Sequence, residues 1–158
     1  MERKEYSAGA VKLSFWFMEF RKVAGLLNKG KTLDDIKKLN SEENIFGAPT
    51  KDRAEKIMNT IANRMNCIPS SFLRIFTDSD IATQKLFVLA SILASDTLFF
   101  DFVYEVIREK MILGSNEFSD SDVRIFFRNK QVQDEKVASW TDATIARLGT
   151  SYKTMLFE

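Results

Sequence analysis

Residues 80–113 read DIATQKLFVLASILASDTLFFDFVYEVIREKMIL, and the spacing of apolar residues inside this stretch decides the fold. It predicts two consecutive helices. In the first, Ile81, Leu86, Val88, Leu89, Ile92 and Leu93 are too dense for a helix with one wet face, so this helix is expected to be covered on most sides and to form the centre of the core. In the second, Phe99, Phe102, Val103, Val106 and Ile107 recur at three- and four-residue steps. Asp101, Glu105, Arg108 and Glu109 fall between them, which predicts one buried stripe, packed on the first helix, and one solvated stripe. Ser95 and Asp96 are placed to cap the second helix, since a short oxygen-bearing side chain accepts a bond from an unpaired first-turn amide. Gly114 suits the left-handed turn that ends it.

Working outward, the periodicity stays helical. Leu13, Trp16, Phe17, Phe20, Ala24 and Leu27 predict a first helix over residues 10–28. Thr32, with Asp35 three residues on, forms a capping-box pattern ahead of a short second helix near residues 33–42. After the loop punctuated by Gly47 and Pro49, Thr50 caps a third helix over about residues 51–66. Its apolar face is Ala54, Ile57, Met58, Ile61, Ala62 and Met65. Pro69 breaks the chain and Ser70 is expected to cap a short helix containing Phe72, Leu73, Ile75 and Phe76. Ser119 and Asp122 repeat the capping-box pattern before Val123, Phe126 and Phe127. A last helix is expected to carry Val137, Trp140, Ile145, Leu148, Tyr152 and either Met155 or Leu156. With two Pro and six Gly among 158 residues and few alternating runs, the reading is all-α: a helix-turn-helix-like subdomain over residues 1–68 and a helical-bundle subdomain over 69–158.

Composition closes off several kinds of chemistry. The chain has no histidine and a single cysteine, Cys67, so zinc sites of the usual kind, an internal disulfide and His-dependent catalysis are all excluded, and no cofactor is expected. The start, MERKEYSAGA, is charged and unlike a signal peptide, which makes the cytoplasm the expected location. The weakly polar run from Leu86 to Ser95 falls well short of the roughly 20 residues that span a bilayer, so no membrane partner is expected. The carboxylate pairs Asp34/Asp35, Glu42/Glu43 and Asp120/Asp122 lie at helix ends, where capping accounts for them better than acid-base work.

Net charge is only +1, but it is unevenly spread. Residues 1–76 hold 14 Lys/Arg against 9 Asp/Glu, and the remainder 9 against 13. The donor-rich face of the third helix, with Arg53, Lys56, Asn63 and Arg64, is a candidate DNA-reading surface: Arg bonds guanine, Asn bonds adenine and Lys neutralises phosphate. Lys12, Arg21, Lys22, Lys29, Lys31, Lys37 and Lys38 offer phosphate contacts. The competing account is an ordinary solvated helix face on which Asp52 and Glu55 pair with these cations.

Four segments carry a family resemblance: YSAGAVKLSFWFMEFRKVA (residues 6–24), EENIF (42–46), TQKLFVLASIL with DTLFFDFVYEVIREKMILG (83–114), and EKVASWTDATIARLGTSYKTMLFE (135–158). Together they resemble the BrxA family, a component of BREX bacteriophage-exclusion systems. The resemblance implies an all-helical protein of NusB-like shape that binds double-stranded DNA as a non-enzymatic accessory in phage defence. It also implies a carboxy-terminal continuation past LFE. The alternative within the same family is a protein-interaction or scaffold module that docks on other BREX proteins without touching DNA.

Overall fold

The computed structural model describes residues 3–158. All regular structure among the described residues is helical, in two compact units. One runs from Phe15 to Ser95, and the other joins Asp96–Glu158 to the amino-terminal segment up to Ser14. The division falls at 95/96, where the sequence reading put it at 68/69. The stretch 80–113 is thereby shared between the units and is not the single central hairpin expected from its apolar density.

The unit 15–95 holds α1 (Phe17–Asn28), α2 (Leu33–Glu43), α3 (Lys51–Asn66), α4 (Ser70–Asp78) and α5 (Ile81–Ser95). The expected capping box opens α2, with the Thr32 hydroxyl accepting from the Asp35 amide and the Asp35 carboxylate accepting from the Thr32 amide. Thr50 caps α3 through the Arg53 amide, and all six apolar-face residues of α3 are buried. The core closes with Phe20 and Val23 of α1 against Phe76 of α4, the two rings meeting edge to face at 5.3 Å, and with Val88 and Ile92 of α5. Residues 69–95 belong to this unit because α4 and α5 pack on α1 and α3.

Three expectations change here. The first helix starts at Phe17 and not near residue 10, because Trp16 takes a left-handed conformation (φ 53°, ψ 51°) that ends α1 abruptly. For a bulky residue that conformation costs about 1–3 kcal/mol and persists only where neighbours hold it. Ser70 is the first residue of α4 rather than its cap, Pro69 standing before it with no side-chain bond. Along α5, Gln84, Val88, Ser91 and Ile92 are buried, but Leu86 is 65% and Ile81 57% exposed. That helix is covered on one side, although its sequence is apolar nearly all the way round.

The second unit begins with a 3₁₀ turn, Gly9–Lys12, that packs on α10 (Asp142–Phe157). It continues with α6 (Thr97–Phe102), a π-helical turn over Val103–Ile107, α7 (Arg108–Ile112), α8 (Asp120–Gln133) and α9 (Glu135–Ala138). Asp96 caps α6 through the Phe99 amide, Gly114 ends α7 at φ 73°, and Ser119 with Asp122 forms the second expected capping box. Tyr152 sits fully buried in an aromatic cluster with Phe99, Phe102 and Phe127, at ring distances of 4.9, 5.3 and 5.9 Å. The predicted last helix is broken in two, since Thr141 accepts a bond from the Thr144 amide and starts α10 afresh.

The π turn rephases the helix that contains it. A wider turn adds one residue per loop of helix and shifts the positions that follow it. Asp101, expected on the solvated stripe, lies before that turn and is buried instead. Lys130 of α8 is buried with it. Its ammonium donates to the Glu105 carboxylate at 2.6 Å and lies 3.5 Å from Asp101, which also accepts from the Tyr6 hydroxyl at 2.5 Å and pairs with Arg3.

Two outcomes follow from this packing. At Gly149 an added Cβ would stand 2.9 Å from Val123 Cγ1, so Gly149→Ala is expected to lower stability by about 1–3 kcal/mol, read as a reduced thermal midpoint. Burial, then the bond and charge of Asp101, push the Tyr6 hydroxyl above its ordinary 10.0. Burial alone would push Lys130 down, but its bonds and charge interactions with Glu105 and then Tyr6 together outweigh it and hold the ammonium above 10.5. Both folded values exceed the unfolded ones, so this contribution is complete below pH 10 and is lost as pH rises through the folded values. The thermal midpoint is therefore expected to fall above about pH 10, and less steeply in Tyr6→Phe, as a melting series from about pH 8 to pH 11 would record.

Candidate nucleic-acid interface

The candidate surface is the helix pair α2–α3. Its crossing is pinned at Asn40, a buried residue of α2 whose side-chain amide donates to the Ala54 carbonyl of α3 at 3.0 Å. The connection between them is ordered by Asn44, left-handed at φ 47°, whose side chain exchanges two hydrogen bonds with the Ala48 backbone. A groove of about 640 Å³ lies between the helices, with Lys37, Lys51 and Asn59 on its walls and Glu42 and Glu55 beside them. The cations along it are thus partly offset.

Of the predicted residues, Lys29, Lys31, Lys37, Lys38 and Asn63 are exposed, and Lys56 is half-exposed. Lys22 is exposed but tethered, its ammonium donating to the Ile45 carbonyl at 2.6 Å. Arg21 lies over the Phe17 ring at 5.6 Å. Lys12 sits in the 3₁₀ turn of the other unit, apart in the chain's organisation from the remaining ten.

Arg64 is a correction. It was expected to face the duplex, yet it is 2% exposed, donates to the Phe15 carbonyl at 2.7 Å and lies 5.7 Å from the centre of the Trp16 ring. The physical reason is position: Arg64 stands seven residues after Ile57 and three after Ile61, at the edge of the stripe α3 turns inward. Arg53 is half-buried and its guanidinium carbon also lies over the Trp16 ring, 5.1 Å from its centre. Sequence reasoning passed over Trp16 as a core residue. The helical period counts it into the apolar stripe, whereas its role depends on a backbone angle and on two side chains some 40 residues away.

In two of the three carboxylate pairs one member, Asp35 or Asp122, completes a capping box. Two bonds from Thr32, the stronger from its backbone amide, hold Asp35 below its ordinary 3.8. The Ser119 amide does the same for Asp122, with help from Lys110. Among the described residues no cluster of His, Cys, Asp or Glu is arranged to hold a metal, and no single helix is long and apolar enough to cross a membrane.

Residues 4–158 match the BrxA family along almost their whole length. The chain belongs to the BrxA family. It is 41% identical over 142 residues to a protein of Bacillus cereus (strain H3081.97) described as BREX protein BrxA, an alignment covering 90% of this chain and 71% of the relative. The fold is similar to the crystal structure of an uncharacterized protein from Magnetospirillum magneticum. The TM-score is 0.76 at 20% identity, over 98% of this chain and 80% of the other. Within the family frame, the geometry separates cations that hold α3 from cations free to meet a partner. Arg64→Ala is expected to destabilise the unit 15–95 by about 2–3 kcal/mol, the cost of losing a charged hydrogen bond. Lys37→Ala and Lys38→Ala are expected to stay within about 0.5 kcal/mol of the parent. Urea denaturation of the three variants checks both.

Proposed function

We propose that this BrxA-family chain is a non-enzymatic, DNA-binding accessory protein of a BREX phage-defence system, acting in the cytoplasm on double-stranded DNA. The observation that carries the reading is the α2–α3 pair, helix-turn-helix-like in order, with Lys37 and Lys38 exposed on one helix and Lys56, Asn59 and Asn63 reaching solvent from the other. Such a pair suits phosphate contacts from the first helix and base-edge contacts from the second.

A second reading has its own support. In the unit 96–158, Met111, Ile112, Leu113 and Phe157 are each at least 66% exposed, and exposed apolar groups of this kind suit a protein partner such as another BREX component.

A duplex titration by fluorescence anisotropy over a salt series separates the two. Lys37→Ala/Lys38→Ala is expected to weaken binding and to flatten the plot of log affinity against log salt by about 2, since two fewer counterions are released. No duplex binding at the lowest salt, together with co-purification with BREX proteins after nuclease treatment, would replace the DNA reading with the docking one.

A further inference from the structure

Trp16 and Arg53 form an arrangement that folding alone does not require. Arg64 already packs against the indole and donates to the Phe15 carbonyl, beside the strained backbone at Trp16. Arg53 is different. It lies in the first turn of α3, 5.1 Å from the centre of the same ring, and its guanidinium makes no hydrogen bond or ion pair with any described residue, although Asp52 precedes it. A cation held over an aromatic face uses no hydrogen-bond acceptor, so the guanidinium keeps its N–H donors for another partner.

We infer that Trp16 is a positioning residue for nucleic acid, holding Arg53 with its donor edge ready for a backbone phosphate of duplex DNA. The inference rests on the duplex-binding reading above and names a recognition element within it. A planar edge with parallel N–H groups matches two phosphate oxygens at once. The first turn of α3 adds backbone amides without helical acceptors and the positive end of the helix dipole. A side chain already held against a ring loses less rotamer freedom on binding than a free surface Arg.

The test uses the full chain and a labelled duplex of about 20 base pairs, near the span a recognition helix and its flanks cover. It also uses Trp140→Phe, which leaves Trp16 as the sole indole of the two present. Arg53→Ala is expected to weaken binding and reduce the salt slope by about one, the loss of one phosphate contact. Trp16→Leu is expected to weaken binding about three- to tenfold with the slope unchanged, because the cation remains and only its placement is lost. The double variant is expected to bind no more weakly than Arg53→Ala alone, and the Trp16 emission to change as duplex is added. Should Trp16→Leu not fold, Trp16→Gly, whose backbone takes φ 53° without strain, replaces it in the cycle. Additive losses, or unchanged indole emission while anisotropy reports saturation, would overturn the role of Trp16 and leave DNA binding intact. Absence of any duplex binding by the parent chain would instead remove the reading on which the inference rests.

Discussion

A guanidinium taken out of water has to be met by acceptors or by a polarisable surface, and Arg64 is met by both. Its bond to the Phe15 carbonyl and its contact with the Trp16 ring tie the entry of α1 to the last turns of α3. The constraint propagates. With Trp16 fixed in a left-handed conformation, α1 leaves in a direction that brings Phe20 and Val23 into the core and Phe20 against Phe76 of α4. The aliphatic stem of Arg64 lies beside the inward stripe of α3 while its charged head is satisfied locally, so one residue serves as both core filler and clamp. Breaking a buried interaction of this kind leaves the remaining carbonyl without a partner, which is why its loss exceeds that of an average surface contact.

The second unit solves the same problem with the opposite geometry. Lys130 is the buried cation there, and two carboxylates four residues apart, Asp101 and Glu105, are turned toward it. The π turn over Val103–Ile107 follows α6, on which Phe99, Asp101 and Phe102 are all buried. Tyr6 and Arg3 complete the shell of Asp101, which explains why the amino-terminal segment belongs to this unit although 81 residues of the other unit separate it in sequence. Burial raises the phenol of Tyr152 well above its ordinary value, and the nearby charges of Asp96 and Asp101 add to the effect.

What the sequence made legible was local. Thr32 with Asp35 and Ser119 with Asp122 signal helix starts within four residues, and both boxes form. The six buried residues of α3 follow a single period and lie where that period places them. Features that depend on partners distant in sequence were not legible. The periodicity from Phe17 to Leu27 runs back smoothly through Leu13, so nothing in it announces the reversal at Trp16. Asp101 was misread for the same reason: what buries it is Lys130 of α8 and Tyr6 of the amino-terminal segment, both distant in sequence. The division of the chain was hidden for a similar reason: the apolar density of residues 80–113 measures burial, not which neighbour supplies it. At the candidate interface, the exposed lysines of α2 were correctly read as surface, but Arg64 shares its residue type with surface cations and its position with the core.

The distribution of charge bears on what kind of recognition such a surface permits. The unit 15–95 carries 12 Lys/Arg against 9 Asp/Glu, and of those cations Arg64 is buried and Lys22 is engaged by a backbone carbonyl. Asp52 and Glu55 stand among Lys51, Arg53 and Lys56 at the start of α3. A phosphate backbone sliding across that turn meets alternating signs, so the attraction that drives sequence-independent binding is small. Only a register that brings phosphates to the cations and away from the two acids gains from them. Asn59 and Asn63, one helical turn apart on the exposed face, have the donor and acceptor pairs suited to adenine edges. On the duplex-binding reading, a surface with few cations and fixed donors therefore discriminates through the geometry in which DNA is presented, and bulk charge contributes the smaller share.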